Sequence, residues 1–173
     1  QHLLRVPSPG VVHADAANLF MGEGETMARA SYFLVIINHK IPASRSAGFL
    51  YLLLAHIGAI GILLCFGVMQ GGHGDYTFAT MRASHLDHFW ASAAFLLALF
   101  GFGAKAGFLP VHAWLPEAHP AAPSPLSALM SGVMLKTAIY GLLRVTFDLL
   151  QIPLCWWGVL ATTFGLFTDF FGF

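Results

Sequence analysis

Residues 48–69 contain no Asp, Glu, Lys or Arg, and this run of 22 residues limits the possible folds more than any other part of the chain. A helix rises about 1.5 Å per residue, so the run would be roughly 33 Å long and would cross a hydrocarbon core of about 30 Å. The composition agrees, because 57% of the 173 residues are hydrophobic and 9% are charged. Soluble domains carry about 25% charged residues. The sequence therefore predicts a membrane-spanning helix.

Three further apolar stretches follow this span. Residues 89–119 form a second span that is interrupted at Lys105, residues 125–147 form a third with Lys136 at its centre, and residues 149–173 begin a fourth. The apolar runs are too long and too continuous for the alternating strands of a β-barrel. Lipid offers no hydrogen-bond partners, so a spanning segment must pair its own backbone N–H and C=O groups, as a helix does. We therefore predict an all-α membrane protein, a polytopic helix bundle.

The rest of the composition narrows the possible partners. Eight basic residues offset eight acidic ones, so no net charge favours nucleic acid, and the lipid bilayer is the expected partner. Residues 1–30 are polar and broken by Pro and Gly, so we expect no periodic element there. Because the sequence begins with Gln1 rather than Met, we expect it to be a piece of a longer chain. Two cysteines are too few for a four-cysteine iron–sulfur cluster.

Two lysines lie inside predicted spans, where a charge costs about 2.5–3.5 kcal/mol at the bilayer centre. Lys136 is the twelfth of the 23 residues in its span, so it cannot easily reach the interface. Residues 89–119 would make a helix of about 46 Å, longer than the membrane core, so we predict a break near Lys105 and Pro110. Buried amines can exchange protons near neutral pH. We predict that both lysines carry protons; structural lysines paired with a carboxylate or a carbonyl are the alternative.

Three histidines are candidates for proton relay. His112 and His119 lie in a segment with five prolines. The neighbouring sequence offers no third or fourth ligand, so we do not predict a metal site there. A fixed loop or interface role is the alternative for both. His56 lies in the middle of the first span, where packing, proton relay and axial haem ligation are possible, although haem would need a second histidine at matching depth.

Specific motifs surround the two lysines. They are Gly-Ala-Lys-Ala-Gly at 103–107, the proline-rich run 109–119, and the runs 122–132 and 134–144. Over residues 31–159 the sequence resembles the antiporter-like membrane subunits of respiratory complex I and its relatives. It is most similar to their hydrogenase-4 component B and formate hydrogenlyase branch. The resemblance implies a partial antiporter-like unit with a discontinuous, proline-broken helix.

The resemblance also implies roles for individual residues. It places Lys105 at the break of the discontinuous helix and Lys136 on the next helix, both on a hydrophilic axis along which protons move. Counting back from Ser31 and Tyr32 places Glu25 as the carboxylate that adjusts the proton affinity of Lys105. Glu25 is also four residues from Arg29, with which it can pair instead.

From this resemblance we expect a membrane subunit of a redox-driven proton-translocating complex, related to NADH:quinone oxidoreductase, in the bacterial cytoplasmic membrane. The redox chemistry would lie on other membrane and peripheral subunits, and we expect no cofactor and no metal on this chain. Two alternatives stay open. One is a subunit of a multi-subunit cation/proton antiporter, and the other is a non-conducting membrane anchor for a hydrogenase module.

Overall fold

The computed structural model describes residues 17–36, 41–72, 74, 76–84, 86–109, 111–121, 124–150 and 154–171. The elements of this part of the chain are helices, which confirms the predicted all-α bundle. In chain order they are α1 (Ala17–Val35), α2 (Pro42–Met69), α3 (Phe78–Ala83), α4 (His88–Ala106), α5 (Trp114–Ala121), α6 (Ser124–Leu129), α7 (Leu135–Leu143) and α8 (Cys155–Phe171). Two π-helical segments, Met130–Met134 and Arg144–Leu149, flank α7.

Two of the described helices are long and apolar enough to cross a membrane. They cover Ser44–Met69 in α2 and His88–Ala106 in α4. Both are largely hydrophobic around their whole circumference, which is typical of a helix that meets lipid or other helices on every side. These two helices pack against each other and carry the candidate site described below.

Helix α1 corrects the expectation that residues 1–30 contain no periodic element. From residue 17 onward the chain is helical, while residues 1–16 lie outside the described part. Each interior glycine costs a helix about 1 kcal/mol, and α1 contains Gly22 and Gly24. Packing offsets this cost, because Phe20, Met27 and Val35 are buried against neighbouring helices.

Aromatic side chains fill the core on both sides of α4. The ring of Phe20 meets the edges or faces of Phe66 and Phe102 at centroid distances of 6.2 and 5.9 Å. On the other side, Trp157 of α8 stacks on Phe95 of α4 with ring centroids 4.7 Å apart. Offset and edge-on pairs of this kind add to the stabilisation from buried area. Helix α4 is thereby anchored to both α1 and α8.

A charged cluster attaches the short helix α3 to the second π-helical segment. Arg82 donates from Nε and Nη2 to the two carboxylate oxygens of Asp148, at 2.7 and 2.5 Å. Nε of Arg144 lies 3.7 Å from the same carboxylate, and its guanidinium lies 4.5 Å from the centroid of the Phe78 ring. Asp148 comes directly after the third predicted span, residues 125–147, and so lies outside it. The hydrogen bonds from Arg82 lower the pKa of Asp148 below its ordinary value of 3.8.

Candidate functional site

Lys105 lies in the last turn of α4, where the spanning helix is interrupted. Gly107 ends the helix with a φ of 76°, a left-handed conformation that favours glycine. The Phe108 amide then donates to the Gly103 carbonyl at 2.8 Å. Helical structure resumes at Trp114, whose indole Nε1 donates to the Ala104 carbonyl at 3.0 Å. The expected discontinuous helix is present, and α4 ends at Gly107 before Pro110 is reached.

The amine of Lys105 forms an ion pair with the carboxylate of Glu25 on α1. Nζ lies 3.2 Å from Oε1, and the two side chains are 18% and 17% exposed. A Cβ at Gly24 would lie 3.7 Å from Nζ, an ordinary van der Waals distance, so the amine lies against α1 at this position. The negative end of the α4 dipole also favours a cation in this last turn. Burial opposes both effects by disfavouring the charged amine.

His56 of α2 faces the second oxygen of the same carboxylate. Its Nε2 lies 3.9 Å from Oε2 of Glu25, and the imidazole side chain is 47% exposed. The other ring nitrogen, Nδ1, lies 2.8 Å from the carbonyl oxygen of Leu52. Glu25 therefore stands between a lysine on α4 and a histidine on α2.

A cavity of about 50 Å³ adjoins the ion pair. Lys105, Tyr51, Trp114 and Thr137 are among the residues that line it. Tyr51 is 2% exposed, and its hydroxyl interacts with the side chain of Ser31. A water needs roughly 10–15 Å³ of such space and two to four polar partners. The cavity is large enough for ordered water next to Lys105.

The structure does not bring Lys136 to this cavity. The side chain of Lys136 is exposed, whereas its neighbours Met134, Thr137 and Ala138 line the cavity. Successive residues of a helix are about 100° apart around its axis, so Lys136 projects from a different side of its helix. Its role as a second proton carrier stays a prediction.

The two histidines after the helix break lie apart from the ion pair. His112 is half-buried in the turn before α5, and its Nδ1 has no partner among the described residues. The side chain of His119 lies outside the described residues, and Glu117 is exposed. In this part of the chain no three His, Cys, Asp or Glu side chains are placed to hold a metal ion. Proton relay by His112 or His119 stays a prediction.

Of the two partners of Glu25, only Lys105 had a signal in the sequence, through the family resemblance. Arg29 is exposed, and Glu25 pairs with Lys105 rather than with this residue four positions away. The approach of His56 to Glu25 joins two helices, and only the position of His56 in the middle of its span pointed to it. Sequence spacing alone does not reveal which helices are neighbours.

Comparison with known proteins agrees with this architecture. A family model described as "NADH:quinone oxidoreductase/Mrp antiporter, TM" matches residues 15–172. Hydrogenase-4 component B of Escherichia coli (strain K12) is 48% identical over 161 residues, which cover 91% of this chain and 24% of that protein. Formate hydrogenlyase subunit 3 of the same organism is 29% identical over 173 residues, or 99% of this chain and 27% of that protein. The chain spans about a quarter of the length of these relatives.

A solved structure shows the same fold. The Mrp complex from Dietzia sp. DQ12-45-1b contains a chain that superimposes with a TM-score of 0.84 and 26% sequence identity. The superposition covers 96% of this chain and 18% of that one. The family match covers most of the chain, including α2 and α4 and the interrupted helix between α4 and α5. The protein is therefore an integral membrane protein, and it belongs to the transmembrane NADH:quinone oxidoreductase/Mrp antiporter family.

Proposed function

We propose that this chain is the proton-conducting part of a membrane subunit in a redox-driven proton-translocating complex of the hydrogenase-4 or formate hydrogenlyase type. The observation that carries the proposal is the ion pair between Lys105 and Glu25, which lies at a helix break and is less than one-fifth exposed. The 48% identity with hydrogenase-4 component B supports the choice of this branch of the family.

Opposing effects act on the protonation state of Lys105. The Glu25 carboxylate and the carbonyl end of α4 stabilise the ammonium form. Burial of the side chain, which is 18% exposed, stabilises the neutral amine. Because these effects oppose each other, a nearby change in charge or hydration can shift the proton.

The remaining parts of the route are assigned by analogy with the family. Lys136 is the second carrier on the following helix, and His112 and His119 are relays between the carriers and the membrane surface. Other membrane and peripheral subunits carry the redox centres, and no cofactor is bound by this chain. We place the complex in the bacterial cytoplasmic membrane.

Two substitutions of Lys105 test the proposal in the complete subunit, assembled in its complex and reconstituted in liposomes with an internal pH dye. Lys105→Arg keeps the cation beside Glu25, but a guanidinium does not lose its proton. Lys105→Met removes the cation altogether. Both variants should lower the rate of proton uptake by about 10²-fold or more, the usual loss when a proton-transfer group is removed. Wild-type uptake by either assembled variant would contradict the proposal.

A cation/proton antiporter is the second candidate, and the likeness to the Mrp complex favours it. The same liposomes distinguish the two, because an antiporter exchanges protons for sodium in the absence of any electron donor. Proton movement that follows an imposed sodium gradient would select the antiporter. Proton movement that requires electron transfer and ignores sodium would select the redox-driven complex.

A non-conducting anchor is the third candidate, and the exposed position of Lys136 favours it. Lys136→Met decides this question in the same assay. Unchanged proton translocation by the assembled Lys136→Met and Lys105→Met variants would leave the anchor as the function of this chain. Loss of translocation with intact assembly would exclude the anchor.

A further inference from the structure

We infer that His56 exchanges protons with the Lys105–Glu25 pair and is a third proton-carrying member of this site. The inference rests on the proposed function, because it gives a route to a proton that Lys105 is proposed to release. The resemblance to the family assigned no role to His56. The assignment comes from the geometry around Glu25.

The two oxygens of Glu25 face different bases. Oε1 lies 3.2 Å from Nζ of Lys105, and Oε2 lies 3.9 Å from Nε2 of His56. The lysine is on α4 and the histidine on α2, so the carboxylate bridges two helices. A group that can accept a proton on one side and give it up on the other has the arrangement of a relay.

The hydrogen bond of Nδ1 determines which ring nitrogen receives the proton. Nδ1 lies 2.8 Å from the Leu52 carbonyl oxygen, which is only an acceptor, so Nδ1 carries the hydrogen. In the neutral imidazole, Nε2 then presents its lone pair to a carboxylate oxygen of Glu25. Two acceptors face each other, and one added proton turns this repulsion into attraction. A hydrogen bond forms once the 3.9 Å separation between Nε2 and Oε2 shortens.

The other charged groups around α2 do not compete for this contact. Among the described residues, Glu25 supplies the one carboxylate within 4.0 Å of the imidazole. On α1, Glu23 is half-buried and Arg29 is exposed, and on α5 Glu117 is exposed. Lys105 of α4 contacts the other oxygen of the Glu25 carboxylate, Oε1.

His56 lies on an otherwise apolar side of α2. The imidazole is 47% exposed, and Leu53 and Ile60 beside it are 44% and 57% exposed. A polar residue on an apolar face within a membrane is costly and usually has a function. Among the described residues the carboxylate that faces the imidazole is that of Glu25, so proton exchange with this carboxylate is the function that fits the position of His56.

The transfer changes only N–H and O–H bonds. An N–H bond of the Lys105 ammonium breaks and an O–H bond forms on Glu25, which leaves a neutral amine and a neutral carboxylic acid. After the carboxyl group turns, this O–H bond breaks and an N–H bond forms on Nε2 of His56. The proton then rests on the imidazolium, which pairs with the Glu25 carboxylate. The reverse sequence loads Lys105.

A matched pair of substitutions on α2 tests the relay in the complete subunit, assembled in its complex and reconstituted in liposomes. His56→Gln keeps a polar side chain but cannot carry a proton at neutral pH. Ile60→Gln places the same side chain one turn away on the same exposed face. We expect proton uptake to fall about tenfold or more in His56→Gln and to stay within about twofold of wild type in Ile60→Gln. Wild-type uptake by His56→Gln would overturn the inference.

A direct measurement of His56 covers the case in which His56→Gln fails to assemble. In Lys105→Met the Glu25 carboxylate loses its lysine, so His56 becomes the cation that balances it. Nitrogen NMR of histidine-labelled Lys105→Met and wild-type protein should show that the protonated fraction of His56 at pH 7 is at least about twofold higher in the variant. An unchanged protonated fraction would overturn the inference.

These outcomes separate the relay from the proposed function. If Lys105→Arg and Lys105→Met lose proton uptake while His56→Gln keeps it, His56 is not the relay and the function of the pair stands. If the Lys105 variants keep wild-type proton uptake, the proposed function is contradicted, and the relay through His56 is contradicted with it.

Discussion

Gly58 of α2 and Gly101 of α4 lie backbone to backbone. A Cβ at Gly58 would come within 2.9 Å of the Gly101 carbonyl oxygen, and a Cβ at Gly101 would lie 2.8 Å from the Gly58 carbonyl oxygen. The same Cβ at Gly58 would lie 3.4 Å from Cγ of Lys105. This close approach of two spanning helices therefore sets the distance from His56 to the Lys105–Glu25 pair.

The first prediction concerns this glycine contact. Gly58→Ala forces the added methyl group against a backbone carbonyl, so we expect it to lower the free energy of unfolding by about 1–3 kcal/mol. Gly67→Ala on the same helix is the control, because a Cβ there meets nothing within 4 Å. The control should be neutral or gain up to about 1 kcal/mol from helix propensity. Equal melting temperatures of the two purified variants would contradict the proposed contact.

The second prediction concerns the energetic coupling of Lys105 and Glu25. Removal of one partner from a buried ion pair leaves an uncompensated charge and costs about 3–5 kcal/mol. We therefore expect Lys105→Met and Glu25→Gln each to lower stability strongly. The double variant should lose less than the sum of the two, with a coupling of about 1–3 kcal/mol. Denaturant titration of the four proteins gives this coupling. Additive losses would show that the two side chains do not interact in the membrane protein.

The helix break was predictable because its causes are local. The apolar stretch of residues 89–119 is too long for a single membrane-spanning helix. Glycine readily ends a helix in the left-handed conformation, and Gly107 does so here. Both facts are present in a short stretch of sequence. They were enough to place Lys105 at the interruption of its helix before any contact was known.

Helix α1 and the His56 contact were not predictable in the same way. Glu25 looks unfavourable in an apolar helix, and its partner lies 80 residues away in sequence on α4. Gly24 weakens the helix locally, and it lies beside the Lys105 amine only because α1 packs near the end of α4. The benefit of each residue depends on which helices become neighbours. Single-sequence patterns carry no information on that arrangement.

The third prediction concerns Trp114, which closes the gap after α4. Its indole donates to the Ala104 carbonyl at 3.0 Å, one of the carbonyls that the helix end leaves unpaired. Trp114→Phe keeps an aromatic ring against Tyr51, at a present centroid distance of 5.2 Å, but removes the donor. We expect stability to fall by about 1–3 kcal/mol, the cost of an unsatisfied buried acceptor. Thermal unfolding measures this loss.

A matched tryptophan controls for the change in ring size. Trp156 is 41% exposed and contacts Phe95 and Trp157 through its ring. Trp156→Phe should lower the melting temperature less than Trp114→Phe does. If the two substitutions have the same effect, the hydrogen bond to Ala104 does not stabilise the break.

The fourth prediction concerns the pH dependence of the contact between α3 and the second π-helical segment. The hydrogen bonds from Arg82 lower the pKa of Asp148 below 3.8 in the folded protein. A carboxyl group whose pKa is lowered by folding stabilises the protein above its unfolded-state pKa. That stabilisation is lost as the pH falls through the folded-state pKa. The stability that wild type gains over Asp148→Asn should therefore be constant at neutral pH and begin to decline below about pH 4.

Melting temperatures of both proteins, measured in the same detergent from pH 7 to pH 3, give this difference. The expected effect is small, because the Arg82 and Asp148 side chains are each 39% exposed and solvent screens their charges. Asp169→Asn is the control, since Asp169 is exposed on α8 and has no ion pair among the described residues. Protonation of Asp148 removes the charge that pairs with Arg82, so the difference in melting temperature between wild type and Asp148→Asn must shrink in acid. A difference that stays constant down to pH 3 would contradict the lowered pKa.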